Sequence, residues 1–429
     1  MTTQYPLNWR TALDALADAL ADIGGAGWLV GGCLRDALLS EPVGDVDVAL
    51  TGEPLFVAER LVSRLPLAIG RLGHGTIRLT SRAMPEVYLD LTPLQGNDIA
   101  SDLARRDFTV NAMALSLTSR AQWLAIVSGQ SGTMPDLLDP FGGRADLAAQ
   151  RLVAVGPETF RDDPGRIIRA ARLFARFGLQ PNMETARLAR EAAPLLASLS
   201  SDRLSGEMAL LLALPGATDG VAFLAEVGAL ATLYPALEGE ATAHALATLR
   251  QLDRLIGVVA IAPVYPALHA WSMSDARRIT LRLAALQHVD VDQGDAPETL
   301  WRRALTVLET GDDSERMYAA RLLLDQAGRD EVPAVDALLV ATGCALARGL
   351  SHADLLAARA DALVTIYLRD RETLIPPPLL LGKDLMAALG TPPGPEIGRL
   401  LRAVRLAQLV GEVSDRDEAL ALARHLASR

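Results

Sequence analysis

"GGCLRDALLSEPVGDVDVAL", residues 31–50, decides how the first third of the chain is read. Two glycines and an Arg-Asp pair stand just upstream of a stretch that alternates acidic and apolar residues. Period-two alternation marks a half-buried strand, yet aspartate is a poor strand residue and like charges on one strand face repel. Strand positions i and i+2 point the same way, with Cα atoms roughly 6.5–7 Å apart. Asp45 and Asp47 therefore share a face. Carboxylates so placed suit Mg²⁺, a hard cation that takes oxygen ligands, and paired metals activate an attacking hydroxyl and stabilise a leaving pyrophosphate. A D-x-D pair by itself is more often a solvated strand face, and its neighbours shift that balance. Gly31 and Gly32 leave backbone N–H groups for a phosphate at a helix start, although they serve a tight turn under either reading.

Working outward, residues 9–22 and 54–65 have helical apolar spacing, 33–40 suit a helix, and "WLV" (28–30) and "DVDVAL" (45–50) suit strands. "TIRLT" (76–80) and "VYLDL" (87–91) are expected to pair as strands. A helix is expected over "RRDFTVNAMAL" (105–115) and a further strand over "WLAIV" (123–127). "SGQSGTMPD" (128–136) is a loop by composition. From Pro164 onward the chain offers amphipathic Ala/Leu/Arg helices broken by Gly- and Pro-bearing turns. Residues 375–404 read as an extended lead-in, two helices and a sharp turn, and no clean repeat period is present. The expected fold class is α+β: a small mixed α/β head followed by an elongated all-helical neck, body and tail. The expected boundaries are 1–138, 139–210, 211–340 and 341–429.

The totals agree with that division. A chain of 429 residues exceeds one ordinary core. Half of its residues are hydrophobic and only 4% aromatic, which favours Leu/Ala/Val helices. A formal charge of −11 argues against an all-over nucleic-acid coat, while leaving room for a local basic groove. Lys383 is the only lysine, and a GC-rich genome is a simpler reason for that than a preference for guanidinium. Two cysteines, Cys33 and Cys344, are too few for a disulfide framework and suit a reducing cytoplasm. The first residues lack a secretory pattern. The longest apolar run, 255–271, is broken by Pro263 and Pro266 and reads as a buried helix and a turn rather than a membrane span.

Two more clusters carry chemistry. On a helix Asp107 and Asn111 would share a face as i and i+4, beside Arg105 and Arg106, whose donors suit phosphate. Asp163 and Arg166 are i and i+3 at an expected helix start, with Pro164 suited to its first turn. A carboxylate accepts hydrogen bonds and a guanidinium donates them. Cytosine and adenine each present an amino donor beside a ring acceptor, whereas uracil and guanine present the reverse polarity. An Asp/Arg pair can thus choose C and A without a template, although an N-cap with surface pairing is the simpler reading of that motif alone.

"LVGGCLRDALL…DVDVAL" resembles the signature of the class II tRNA nucleotidyltransferases, the bacterial CCA-adding enzymes and their poly(A) polymerase relatives. The likeness continues in order through "RRDFTVNAMAL", "DPFGGRADLAAQRL" (139–152), "RDDPGRIIRAARLFARFG" (161–178) and, more loosely, "SDRLSGEM" (201–208). The resemblance implies a catalytic nucleotidyltransferase head, base recognition in the neck and tRNA binding in the tail. It implies Asp45 and Asp47 as catalytic Mg²⁺ ligands. It also implies a nucleotide-binding set of Gly31, Gly32, Arg35, Arg106, Asp107, Asn111, Asp163, Arg166 and Arg169. Asp90 is a candidate third carboxylate or a polar edge residue, and His74 in "GHGT" matches a family pattern or is structural. Arg203 and Glu207, i and i+4, are expected to brace a neck helix. Asp162 and Gly165 stand where the family usually has Glu and Leu.

The implied partners are the acceptor arm and 3′ end of tRNA, CTP and, in the wider reading, ATP, with neither membrane nor protein partner. Relatives that build all of CCA carry an Arg- and Pro-rich flexible loop before the RRD motif. Here that interval, "TPLQGNDIASDLA" (92–104), is short and has no arginine. A CC-adding enzyme is therefore the first reading, ahead of a full CCA-adding enzyme and of an A-adding enzyme or poly(A) polymerase. A non-catalytic RNA-binding scaffold would not need Asp45 and Asp47. The six histidines are scattered, none directly before an Asp, so no appended phosphohydrolase site is expected.

Overall fold

The strand expected around Asp47 forms at Val46–Leu50, and its alternation is used on both faces. In the computed structural model, which describes residues 9–43, 45–81, 84–127, 134–256, 265–272, 274–287, 300–326 and 332–428, it is the fourth strand of a six-stranded mixed sheet. The head elements run α1 (Trp9–Ala21), β1 (Gly27–Val30), α2 (Gly32–Leu38), β2 (Val46–Leu50), α3 (Pro54–Val62), β3 (Ala68–Arg71), β4 (Ile77–Ser81), β5 (Met84–Pro93), α4 (Ile99–Leu103), β6 (Ala114–Ser116) and α5 (Arg120–Val127). Spatial order is β3-β4-β5-β2-β1-β6, with β2 and β5 parallel and the other neighbours antiparallel.

Val46, Val48 and Leu50 point into a core with Leu29, Leu79, Leu89, Leu91, and Leu13, Leu16, Val57 and Leu61 from α1 and α3. Each such side chain taken out of water contributes about 1.5–3 kcal/mol. The opposite face carries the other parity. Asp47 lies beside Asp90 in register, and Asp90 lies beside Arg78. Alternation on β2 thus covers one sheet face with helices and leaves charged groups on the other.

Contacts divide the described chain into two units. The first takes residues up to Glu207 and returns for Glu226–Thr232; the second takes Met208–Ala225 and the rest. The first unit also holds α6 (Gly143–Ala148), the two-residue pair β7 (Arg151–Leu152) and β8 (Gln180–Pro181), α7 (Thr159–Asp162), α8 (Arg166–Phe177), α9 (Met183–Ala192) and the start of α10 (Ser201–Leu212). Every regular element among the described residues of the second unit is a helix. Arg282 is fully buried there, held by Asp253 at 2.6 Å and by the carbonyls of Leu212 and Leu214. A separate core of Leu385, Ile397, Leu400, Val404 and Ala423 lies near its C-terminal end, where residues 375–404 give the two expected helices, Gly382–Leu389 and the start of Pro395–Leu409.

Two expectations are corrected. "WLAIV" is helical: α5 starts at Arg120, and Trp123, fully buried, donates from Nε1 to the Leu117 carbonyl at 3.0 Å. The apolar run was too short to separate a buried helix from a strand, and the tryptophan anchor decided it. "RRDFTVNAMAL" is not one helix. Phe108 makes an isolated bridge to Ala154, Thr109–Asn111 forms a single 3₁₀ turn, and Ala114–Ser116 joins the sheet as β6. The β-branched Thr109 and Val110 and the competing side chain of Asn111 disfavour a helix, and pairing with the distant 153–155 segment overrode the helical spacing.

The helix expected to carry Asp163 begins at Arg166, so Asp163 and Pro164 precede it. Of the loop 128–136, residues 128–133 lie outside the described residues; so do residues 257–264 of the apolar run, which ends in the helix Pro266–Trp271. The His74 side chain is likewise outside them, within a 3₁₀ turn at Gly73–Gly75. Among the described residues, no helix is long and apolar enough to cross a membrane.

Candidate active site

β2 brings Asp47 to the centre of the sheet, and Asp45 stands one residue before the strand. Neither carboxylate has a protein hydrogen-bond or ion-pair partner among the described residues. Burial pushes Asp47 up to about 6; Asp90 and Asp45 add to the push while Arg106 and Arg78 oppose it. Burial likewise raises Asp45, with Asp90 adding and Arg78 opposing. Acids crowded together and partly desolvated favour their neutral forms until positive charge arrives. The Cys33 thiol is pushed up to about 12 by burial and by the Asp47 charge, so it is neutral near pH 7 and unsuited to nucleophilic chemistry.

β1 ends into Gly31, which adopts φ +78° and caps the start of α2. The left-handed region favours glycine. A Cβ here would lie 3.0 Å from Arg106 Nη1 and 3.4 Å from Asp47 Oδ2. The turn thus sets a guanidinium and the central acid beside the same backbone, where any side chain would intrude. Arg106 is also tied to Asp102 at 3.1 Å.

Asp107 and Asn111 are brought together without a shared helix. Asn111 Nδ2 donates to Asp107 Oδ1 at 3.0 Å, the Phe108 N–H donates to the same oxygen at 2.8 Å, and Arg169 Nη1 reaches Oδ2 at 3.2 Å. Burial works against the Asp107 charge, and Arg169, Asn111, Phe108 and Arg166 outweigh it, so its carboxyl lies below the ordinary range. On the far side Arg35 donates to Asn111 Oδ1 at 2.7 Å and to Asp36, and its guanidinium stacks 4.6 Å from the Phe177 ring centroid. Arg35 is buried among these partners and acts on Asn111 from behind.

α8 lines this region with Arg166, Arg169, Arg172 and Arg176 at helical spacing. Arg172 donates to Glu207 at 2.7 Å, and Arg169 lies 3.8 Å from the same carboxylate. Arg166 donates to the carbonyls of Arg105 at 2.9 Å and Thr159 at 3.2 Å, with its Nε 4.0 Å from Asp163 Oδ2. Asp163 accepts from the Gly165 N–H at 3.0 Å and from Arg203 Nη2 at 2.7 Å on both oxygens. Arg203 and Glu207 therefore brace other elements rather than each other.

Asp90 is buried and chelated by Arg78, Nε and Nη2 lying 2.8 and 2.7 Å from its two oxygens. Arg78 is the neighbour of these acids that sequence reasoning missed. Its only signal was parity across two strands whose register the sequence does not state.

The donor chemistry fits a hard divalent cation: two carboxylates free of protein partners, and a third one strand away. Among the described residues no group of three ligating side chains is already gathered. Asp45 and Asp47 are the candidate ligands, and Asp90, one Arg78 donor on each oxygen, keeps further lone pairs beside them.

Residues 27–153 match a family model described as Poly A polymerase head domain, and residues 178–240 one described as a probable RNA and SrmB-binding site of polymerase A. A CC-adding tRNA nucleotidyltransferase of Geobacter sulfurreducens is 32% identical over 95% of this chain and 94% of its own length. An A-adding tRNA nucleotidyltransferase of Deinococcus radiodurans is 31% identical over 93% of this chain and 95% of its own length. A solved structure of a CCA-adding enzyme with ATP superposes with a TM-score of 0.68 at 21% identity, covering 97% of this chain and 95% of that one, which speaks for the fold.

Proposed function

We propose what this chain does from one premise: it belongs to the family of tRNA nucleotidyltransferases with a poly(A) polymerase head, and is a nucleotidyltransferase. The reaction is template-independent addition of CMP to the 3′ end of tRNA from CTP, with release of pyrophosphate, stopping after the two cytidines of CCA. Asp45 and Asp47 would hold Mg²⁺. That ion, when bound, offsets the charge that builds on the attacking and leaving oxygens. The Gly31–Gly32 turn and Arg106 hold the triphosphate, and Asp107 and Asn111 contact the nucleotide. Arg169 and Arg35 keep those two side chains in place. Asp163 accepts from the base amino group and Arg166 donates to the ring acceptors beside it. Rate enhancement then comes from positioning and charge stabilisation.

The observation that carries the stop after CC is the link from β5 to α4. It runs only through residues 94–98 and is closed at both ends. The Gln95 N–H donates to Asp102 at 3.0 Å, and Asp98 caps α4 through the Ser101 N–H at 2.8 Å. Nothing there has the length or arginine content of the loop that the resemblance ties to ATP use. The Deinococcus relative supports a second reading, addition of the terminal A.

Incubating the protein with tRNA lacking CCA, in CTP, ATP or both, separates these readings on a sequencing gel. Two added residues whenever CTP is present support CC addition. Three with both nucleotides point to complete CCA addition, and growth in ATP alone on tRNA ending in CC points to A addition.

A further inference from the structure

We infer that Arg203 is a specificity-determining positioning residue for base selection, admitted to that role by Gly165; the inference rests on the base-reading role proposed for Asp163. Gly165 has φ −59° and ψ −21°, a helical conformation open to any residue. Backbone freedom is therefore not what a glycine supplies there. Space is. A Cβ at 165 would lie 3.1 Å from Arg203 Nη2, 3.4 Å from its Cζ and 3.2 Å from Asp163 Oδ1. The guanidinium fills the volume that a side chain at the start of α8 would otherwise take.

From that position a single Arg203 nitrogen straddles both Asp163 oxygens at 2.7 Å. The Gly165 N–H, at 3.0 Å, holds Oδ1 from the other side. Two donors on one carboxylate set its plane, and charge-assisted bonds do so strongly. Each oxygen retains accepting capacity, since an ionised carboxylate offers about four lone-pair sites. A carboxylate fixed in this way accepts from the amino group of cytosine, while the O4 acceptor of uracil meets only another acceptor. A carboxylate free to rotate can turn aside and leave the uracil edge to Arg166 alone. Arg203 thus does not touch the base; it decides which bases Asp163 can reject.

The experiment measures kcat/KM for CTP and UTP on tRNA lacking CCA, for wild type, Arg203→Gln, Arg203→Lys, Gly165→Ala and the double variant Gly165→Ala/Arg203→Gln. Arg203→Gln is expected to lower the CTP/UTP preference about tenfold, the scale of one charged hydrogen bond, with KM for tRNA unchanged. Arg203→Lys, which keeps a charged donor, is expected to retain part of the preference. Gly165→Ala, by displacing the guanidinium, is expected to lower it in the same direction. The double variant should be no worse than Arg203→Gln, because both changes remove one contact. Arg203 is exposed, so its loss should leave the thermal midpoint close to wild type; if either variant fails to fold, the other decides. Preference within about twofold of wild type in the folded variants, or full additivity in the double variant, overturns the inference. Wild type that incorporates no CMP overturns the function itself, so the two failures are distinguishable.

Discussion

Asp47 and Asp107 are both aspartates of the first unit, and Arg106 lies near the one and next to the other in sequence. Their surroundings are opposite. Asp107 accepts from Asn111, Phe108 and Arg169, and its carboxyl is held below the ordinary range. Asp47 has no such partners among the described residues and is pushed up to about 6. One carboxylate completes the protein's own framework. The other accepts no hydrogen bond among the described residues, and Arg106 and Arg78 offset its burial only in part. Burying a charge is tolerable when donors surround it and costly when they do not, so the contrast separates an acid the protein already satisfies from one it leaves without donors.

The strongest test of that contrast is Asp47→Asn. CMP incorporation should fall roughly 1,000-fold or more, the scale of lost charge stabilisation at a reacting centre, while tRNA binding in a filter assay persists. Stability should move the other way. An acid whose folded value lies above its unfolded one stabilises at low pH and loses that contribution as pH rises through the folded value. Metal-free wild type should therefore weaken relative to Asp47→Asn between about pH 4 and 7, by about 1–3 kcal/mol. Thermal unfolding in chelator across that range reads the difference, and Mn²⁺ or Mg²⁺ should restore the wild type alone. A wild type indifferent to cations would break the comparison.

Asp107→Asn should cost stability, about 2–4 kcal/mol at pH 7, because an amide cannot accept from all three donors. The sign with pH is reversed. A depressed acid stabilises above its unfolded value, near 3.8, and loses this as pH falls through the lower folded value. Urea melts at pH 7 and pH 3 should show the gap between wild type and variant narrowing in acid.

Arg78→Gln sharpens the comparison from the side. It leaves Asp90 without its chelating partner beside Asp47, converting a paired acid into an unpaired one. A loss of about 1–3 kcal/mol in metal-free buffer is expected, partly recovered by divalent cation. Calorimetry with and without Mg²⁺ measures it. Gly31→Ala should have the smallest stability effect, about 1–2 kcal/mol for a left-handed residue given a Cβ. Its incorporation defect should nonetheless exceed what that loss explains, since the Cβ meets Arg106.

The strand, the face it presents and the order of motifs along the chain could be read before any coordinates. Asp45, Asp47, Gly31 and Gly32 announce themselves through period-two parity and a glycine pair, which depend on residues within a few positions. The helical spacing of Asp107 and Asn111 was misleading in form and right in outcome: the two side chains meet through a 3₁₀ turn. Arg35 shows the same limit. Its place in the motif was plain, but its burial against Phe177 and Asn111 was not, because those partners lie far along the chain.

Local pattern, then, determined that a strand presents Asp47 on its polar face, since backbone geometry fixes side-chain direction from one residue to the next, while Asp45 falls one residue before that strand. Tertiary structure decided which acids are neutralised and which are left open. Arg78 meets Asp90, Arg169 meets Asp107 and Arg203 meets Asp163 only through strand register and helix docking. Those contacts join residues 12, 62 and 40 positions apart, and the packing of whole elements, not the spacing of neighbours, brings such groups within hydrogen-bond reach.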